Sequence, residues 1–194
     1  MDHSRAFSAF PLLETERLRL REFRESDAEG VFQVYGNPEV GRFNRWEVLQ
    51  NQAEAVEKIR LFRRQYAEGL RLRWAIAVKD SDEVIGDIAF VMFDPRLAQG
   101  EMGFNLGAAH WGKGLMREAA EAVLGFGFGK MEMLRVSAIV LAENLPCLGL
   151  LKRLGFVREG VLRKAGMLKG EVRDLELLAL LREDWENYAQ RTQA

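Results

Sequence analysis

The stretch AHWGKGLMREAAE, residues 109–121, contains two glycines and a lysine directly before a run of helix-forming residues. The first N–H groups of a helix have no partner within the helix, and the helix start carries partial positive charge. Gly112 and Gly114 would leave these donors uncovered, and Lys113 between them adds a full positive charge. The pattern therefore favours a phosphate-binding turn over the alternative, a pair of glycines that only shapes a sharp connection.

Two nucleotide-binding motifs come close to this stretch without fitting it. Residues 107–113, GAAHWGK, match the P-loop spacing, but Gly114 follows where that motif has a Ser or Thr hydroxyl for Mg²⁺. A Rossmann fingerprint fails because Arg117, three residues after Gly114, is not a glycine. A second cluster, GFGFGK at 125–130, is interpreted as helix termination and close packing. A magnesium-dependent P-loop phosphotransferase stays as a disfavoured alternative.

The elements that must position the turn are a mixture of strands and helices. The strand EMGFNLG (101–107) precedes the turn, and a helix from 114 to about 129 follows it. Hydrophobic periodicity and turn residues predict the remaining elements: strands at 15–23, 73–79, 84–93, 135–142, 156–163 and 174–181, and helices after Ser26-Asp27, at 51–69 and near 146–154. Antiparallel hairpins with one strand-helix-strand crossover indicate an α+β, or mixed α/β, fold.

The composition is that of a folded domain without a strong electrostatic preference. Among 194 residues, 48% are hydrophobic, and 28 Lys and Arg nearly balance 29 Asp and Glu. This balance gives no support for binding nucleic acid or an anionic membrane. We expect a single domain over 1–194, with a core of about 12–186 and flexible ends. The sequence leaves the oligomeric state open, with a homodimer as one alternative.

Cysteine and histidine usage limits the location and the metal chemistry. The single cysteine, Cys147, excludes an internal disulfide and suits a reducing compartment. We find no signal-peptide pattern and no apolar run long enough to span a bilayer, so we expect a cytoplasmic protein. The two histidines, His3 and His110, have no metal-ligand spacing, and no metal site is expected.

Several segments, in order along the chain, resemble a single family. They are TERLRLRE (15–22), VIGDIAF (84–90), GEMGFNLG (100–107), AHWGKG (109–114) and AENLPCLGLLKRLGFVREGVLR (142–163), followed by Asp174. This set is similar to the GNAT superfamily of acetyl-coenzyme A-dependent N-acetyltransferases, in particular the RimJ/RimL-like branch that modifies ribosomal-protein N-termini. The phosphate motif of that family, Q/R-x-x-G-x-G/A, is matched except at Ala109, where Gln or Arg is usual.

The resemblance implies both a fold and a cosubstrate. The fold would have a central, mostly antiparallel twisted sheet of about seven strands, flanked by about four helices and splayed between its fourth and fifth strands. Acetyl-CoA would lie with its diphosphate on the backbone of the turn, its pantetheine arm along the strand before it, and an asparagine in contact. The implied residues are Phe104, Asn105, Leu106, Trp111, Gly112, Lys113, Gly114, Leu115, Met116 and Asn144.

Acetyl transfer needs a neutral amine and a proton for the leaving thiolate. Glu101 is the candidate general base, acting through water, and a solvated strand-end carboxylate is the alternative. Cys147 stands where the branch usually has Ser, which makes it the candidate acid, and a small apolar filler is the alternative. Leu151 stands where many relatives have an acid Tyr. We assign His110 to packing.

These observations predict an N-acetyltransferase in which the amine attacks acetyl-CoA directly in a ternary complex. The favoured acceptor is a protein N-terminal amine, such as that of a ribosomal protein. Small amines, namely a polyamine, an antibiotic or an amino-acid-like compound, stay as alternatives, as does a non-catalytic acyl-CoA sensor. The loop FNRW (43–46) is the candidate acceptor side, whereas Trp74 is assigned to the core.

Overall fold

A computed structural model of the chain describes residues 7–193, with side chains up to residue 191. These residues form eight strands and five α-helices. The strands are β1 (Leu13–Glu14), β2 (Leu18–Arg21), β3 (Leu72–Val78), β4 (Val84–Asp94), β5 (Gln99–Leu106), β6 (Arg135–Leu141), β7 (Val157–Leu168) and β8 (Glu171–Leu181). The helices are α1 (Ala28–Tyr35), α2 (Gln52–Ala67), α3 (Leu115–Gly129), α4 (Leu145–Arg153) and α5 (Arg182–Gln193).

All eight strands belong to one sheet, in the order β1-β2-β3-β4-β5-β6-β8-β7. Neighbouring strands are antiparallel except for β5 and β6, which are parallel and connected through α3. The predicted α+β class is therefore confirmed. The sheet has one strand more than the sequence suggested, because the two-residue β1 is too short to give a periodic signal. The additional helix, α5, follows the last strand at the carboxyl-terminal end.

The sheet is splayed between β5 and β6. The two strands pair at only three positions, from Gln99 with Arg135 to Glu101 with Ser137. Beyond Glu101, β5 pairs only with β4, while β6 pairs along its whole length with β8. A register shift in the β4–β5 pairing falls between Phe90 and Met92, and such a bulge bends a strand away from a straight ladder. The result is a wedge-shaped gap that opens toward the carboxyl ends of both strands.

The two faces of β5 meet different surroundings because successive side chains point to opposite sides of a strand. Met102, Phe104 and Leu106 face the main hydrophobic core, which contains α3. Glu101, Gly103 and Asn105 lie on the opposite face, where α1 and α2 cover the sheet with a second core. The sheet thus separates a side that carries α3 from a side that carries α1 and α2.

Asparagine side chains cap the starts of α2 and α4. The Asn51 side chain accepts a hydrogen bond of 3.1 Å from the Glu54 N–H at the start of α2. The glycine cluster predicted to end a helix is the last part of α3, which runs through it to Gly129. No helix within residues 7–193 is both long and apolar enough to cross a membrane.

Candidate active site

The turn from Trp111 to Gly114 forms an open cradle at the start of α3. Gly112 and Gly114 have φ values of 73° and 76°, in the left-handed region that favours glycine. A Cβ added to Gly112 would meet nothing within 4 Å, and no side chain caps the helix. The first N–H groups of α3 are therefore uncovered, as an anion site requires. This geometry fits a phosphate group on the predicted residues, including the backbone of Leu115 and Met116, whose side chains are buried.

A brace from the β1–β2 turn holds this cradle. Arg17 donates from Nη1 to the Lys113 carbonyl oxygen at 3.0 Å and from Nε to a Glu118 carboxylate oxygen at 2.7 Å. The Thr15 hydroxyl donates to the other Glu118 oxygen at 2.6 Å. Burial alone would raise the pKa of Glu118, but the hydrogen bonds from Thr15 and Arg17 outweigh it and lower that pKa. Sequence reasoning missed this brace, because nothing local to residues 15–17 indicates a partner about 100 positions later.

Trp111 and His110 connect the cradle to the end of β5. The Trp111 indole N–H donates to the Leu106 carbonyl oxygen at 2.8 Å, and 48% of the residue remains exposed. Residues Ala108–His110 form a short 3-10 helix, so the near-P-loop stretch does not form a continuous phosphate loop. The His110 ring lies against Gly107, where an added Cβ would be 3.5 Å from its Cδ2, in keeping with a packing role.

Asn144 and Cys147 lie at the start of α4, which follows β6. Since β5 and β6 are parallel, their carboxyl ends meet at one edge of the sheet, and the starts of α3 and α4 border the wedge there. The Asn144 side chain caps α4 by accepting a 3.3 Å hydrogen bond from the Cys147 N–H. Burial raises the pKa of the Cys147 thiol to about 12, so the thiol stays protonated at neutral pH. Cys147 also packs against the main core.

Glu101 lies where the pairing of β5 with β6 ends, and it is half-buried. Burial raises the pKa of its carboxyl above the usual value, and the positive charges of Arg45 and Arg71 partly oppose that rise. A carboxylate with a raised pKa is a better proton acceptor near neutral pH than an exposed one. Its half-buried position differs from that of a fully exposed strand end, and its role as general base stays a prediction.

A buried polar network connects the 36–51 loop to β5. Asp87 is fully buried and accepts hydrogen bonds from the Tyr35 hydroxyl at 2.6 Å, from the Asn105 amide at 3.0 Å, and from Arg73. The Asn105 side-chain oxygen Oδ1 accepts from the Asn44 side-chain amide at 3.1 Å. The Asn105 side chain is thus occupied on the α1–α2 side, which leaves only its backbone for a ligand in the wedge. A charged residue within the apolar segment VIGDIAF was the sequence signal for this network.

Trp74, Trp46 and Asp174, which were also considered from the sequence, make packing or hydrogen-bonding contacts within the fold. Trp74 is fully buried in the core, as predicted. Trp46 packs on Tyr35 with ring centroids 4.8 Å apart, so it anchors the 36–51 loop. The Asp174 side chain accepts from the Lys164 N–H at 2.7 Å within the β7–β8 hairpin. His3 lies outside the described residues, within which no group of three or more potential ligands could hold a metal ion.

A mostly antiparallel sheet that splays beside an uncapped, glycine-lined helix start defines the class of acyl-CoA-dependent transferases anticipated from the motifs. A comparison with known protein families identifies the particular family within this class. Residues 17–157 match the acetyltransferase (GNAT) domain, and the chain belongs to this family. The predicted family, fold and enzyme class are therefore confirmed, and the phosphotransferase alternative is wrong.

Known relatives cover most of the chain. This chain is 35% identical over 173 residues to the N-acetyltransferase p20 of Bacillus licheniformis. The match covers 89% of this chain and 97% of the relative. It is 26% identical over 184 residues to the [ribosomal protein uS5]-alanine N-acetyltransferase of Escherichia coli, covering 89% and 92%. A solved RimL ribosomal L7/L12 alpha-N-protein acetyltransferase in complex with coenzyme A shares the fold, with a TM-score of 0.80, 18% identity and coverage of 88% and 98%.

Proposed function

We propose that the protein transfers an acetyl group from acetyl-CoA to the α-amine of a protein N-terminus, such as that of a ribosomal protein, in the cytoplasm. The observation that carries this proposal is a half-buried Glu101 at the point where β5 and β6 separate, with the open cradle at the far end of the same wedge. The relative that acetylates the alanine of ribosomal protein uS5 supports the choice of acceptor.

The chain offers three kinds of group to the donor. The uncovered N–H groups from Trp111 to Met116 suit the diphosphate, with Lys113 adding positive charge. The backbone of Phe104–Leu106 has no partner strand on the wedge side and suits the amide groups of the pantetheine arm. The Asn144 side chain, at the start of α4, borders the same wedge. Acetyl-CoA supplies an activated thioester when it is bound.

Glu101 would remove the proton that the acceptor amine must lose. An α-amine has a pKa of about 8, so a modest base is sufficient, whereas a lysine amine with a pKa of about 10.4 needs more help. The raised pKa of Glu101 brings its basicity closer to that of an α-amine. A backbone N–H of β5 that has no partner strand would stabilise negative charge on the acetyl oxygen.

Cys147 would assist the departure of the thiolate by donating a hydrogen bond. The Cys147 thiol has a pKa of about 12. An ordinary thiol, such as that of coenzyme A, has a pKa of about 8.5. Full proton transfer from Cys147 to the departing thiolate is therefore unfavourable. A hydrogen bond requires no such transfer, and the thiol stays protonated for this purpose at neutral pH.

The test is acetylation of a peptide that carries one free α-amine and one lysine, followed by mass spectrometry of the product and measurement of thiol release. We expect the acetyl group on the α-amine. A matched peptide with a blocked α-amine should give no product. Acetylation of the lysine or of small amines alone would overturn the proposed acceptor. Binding of acetyl-CoA without thiol release from any amine would instead indicate a non-catalytic sensor.

A further inference from the structure

Two arginines, Arg45 and Arg71, lie near enough to Glu101 to oppose the rise in the pKa of its carboxyl. Among residues 7–193, neither the Arg45 nor the Arg71 side chain makes a hydrogen bond or an ion pair. Nearby arginines are engaged: Arg73 binds Asp87, and Arg63 binds Glu22 at 3.3 Å. Cationic side chains that are left without partners next to a candidate base are available to a ligand.

The sheet register places Arg71, which directly precedes β3, in the same row as Glu101, with β4 between them. Leu72, the first residue of β3, pairs with Phe90, so Arg71 lies level with the bulged residue Val91 of β4. The next pair, Met92 with Glu101, continues that row into β5. Alternation along the strands puts Arg71 on the face of the sheet that carries Glu101.

Arg45 approaches the same face from the 36–51 loop. Its neighbour Asn44 is hydrogen-bonded at 3.1 Å to Asn105, four residues along β5 from Glu101. Between them, Gly103 has no side chain, and a Cβ added there would meet only Val91 Cγ1, at 3.5 Å. There is therefore room on β5 between Glu101 and the hydrogen bond that anchors the loop.

The charge around this space is positive, although the chain as a whole has a formal charge of -1. Lys58 adds a third cation, with its ammonium 4.3 Å from the Tyr35 ring centroid and 5.7 Å from that of Trp46. Asp87 attracts Lys58, but Arg73, with which Asp87 is paired, opposes that attraction. Glu101 is left as the counter-charge, and a cationic cleft of this kind favours an anionic ligand.

We propose that the acceptor carries a carboxylate close to its amine, and that Arg45 and Arg71 bind this carboxylate while the amine meets Glu101. The planar guanidinium group matches a carboxylate through two parallel hydrogen bonds. For a protein N-terminus, the carboxylate belongs to Asp or Glu at the second or third residue. The inference rests on the proposed acetyl transfer and deepens it by naming the acceptor class.

The first measurement compares peptides that share the same N-terminal residue and have Glu, Gln or Lys at the second and third positions. The expected kcat/KM for the Glu peptide exceeds that for the Gln peptide by about tenfold or more, as a charge-assisted hydrogen bond provides. The Lys peptide should be the slowest of the three. Free glutamate serves as the small-molecule source of the same chemistry.

The second measurement asks whether the two arginines produce the preference. In Arg45→Gln and Arg71→Gln, the ratio of kcat/KM for the Glu peptide to that for the Gln peptide should fall toward one. A ratio is used because it cancels changes in the basal rate. Arg191→Gln removes an exposed charge from α5 and should retain the wild-type ratio.

The outcomes separate this inference from the proposed function. Equal rates with the Glu and Gln peptides, or an unchanged ratio in the Arg45→Gln/Arg71→Gln double variant, would overturn the carboxylate-binding role and leave acetyl transfer to peptides standing. Turnover of free glutamate without any peptide would support the carboxylate site and overturn the protein acceptor. Turnover of none of these amines would overturn both.

Discussion

Burial raises the pKa of both Glu101 and Cys147, but the consequence differs between the two groups. Burial raises the pKa of the Glu101 carboxyl and so makes its anion more basic. The same effect on Cys147 keeps its thiol protonated and makes it less reactive. Residue types alone could suggest both groups, but only their surroundings indicate what each can do.

We predict that Glu101→Gln lowers kcat/KM by about 10²-fold, at the lower end of the range for a general base, because an α-amine needs limited help. Wild-type activity should rise as the pH increases through the raised pKa of Glu101, since only the carboxylate accepts a proton. In Glu101→Gln, the rise in activity around the pKa of Glu101 should disappear. The activity should instead rise at the higher pH at which the acceptor amine itself loses its proton. Initial rates from pH 5 to 9 provide the measurement, with Glu47→Gln, on the exposed loop, as control. An unchanged profile would remove Glu101 as the base.

For Cys147 we predict that substitution by Ala lowers kcat by about tenfold, whereas substitution by Ser retains most of it, since a hydroxyl also donates a hydrogen bond. The Kd for acetyl-CoA should change little in both variants. Steady-state kinetics and titration calorimetry check the two statements. Full activity in Cys147→Ala would leave Cys147 as an apolar filler of the core.

At the scale of elements, α3 must approach β4 closely to direct its first turn into the wedge. A Cβ added to Gly127 would lie 2.7 Å from the Phe90 ring, which explains a glycine in the last turn of this helix. A Cβ on Gly125 would meet only Trp185, at 3.9 Å. The cluster GFGFGK thus contains glycines with different roles.

We expect Gly127→Ala to lower the free energy of unfolding by about 1–3 kcal/mol, because the new methyl group overpacks the Phe90 contact. Gly125→Ala, the matched control in the same helix, should instead raise it by about 0.5–1 kcal/mol by reducing the entropy of the unfolded chain. Urea denaturation of both variants tests the assignment. A stabilised Gly127→Ala would contradict close packing of α3 on β4.

The network around Asp87 connects three strands with the 36–51 loop. We predict that Asp87→Asn lowers the free energy of unfolding by about 3–5 kcal/mol, because it leaves Arg73 nearly buried without its counter-ion. Asp80→Asn, at an exposed turn, should change it by less than about 0.5 kcal/mol. Urea denaturation measures both. A small effect of Asp87→Asn would contradict the dependence of the fold on this buried ion pair.

At the scale of the whole molecule, local patterns predicted most elements, while long-range contacts decided the site. The turn at Gly112 and Gly114 could be predicted because left-handed backbone restricts the residue type. The brace of Arg17 to Glu118 could not, since it joins residues 101 positions apart. The length of the β5–β6 pairing, which creates the wedge, also depends on tertiary contacts that no single segment encodes.

Binding of the acetyl-CoA diphosphate by the Gly112–Gly114 turn is tested most directly by the Kd for acetyl-CoA, measured by titration calorimetry. We predict that Gly112→Ala weakens binding by at least about tenfold. Gly170→Ala should retain wild-type affinity, since Gly170 has a similar φ of 82° and equally open surroundings in the distant β7–β8 turn. Wild-type affinity in Gly112→Ala, or binding of ATP with Mg²⁺ in place of acetyl-CoA, would contradict the account.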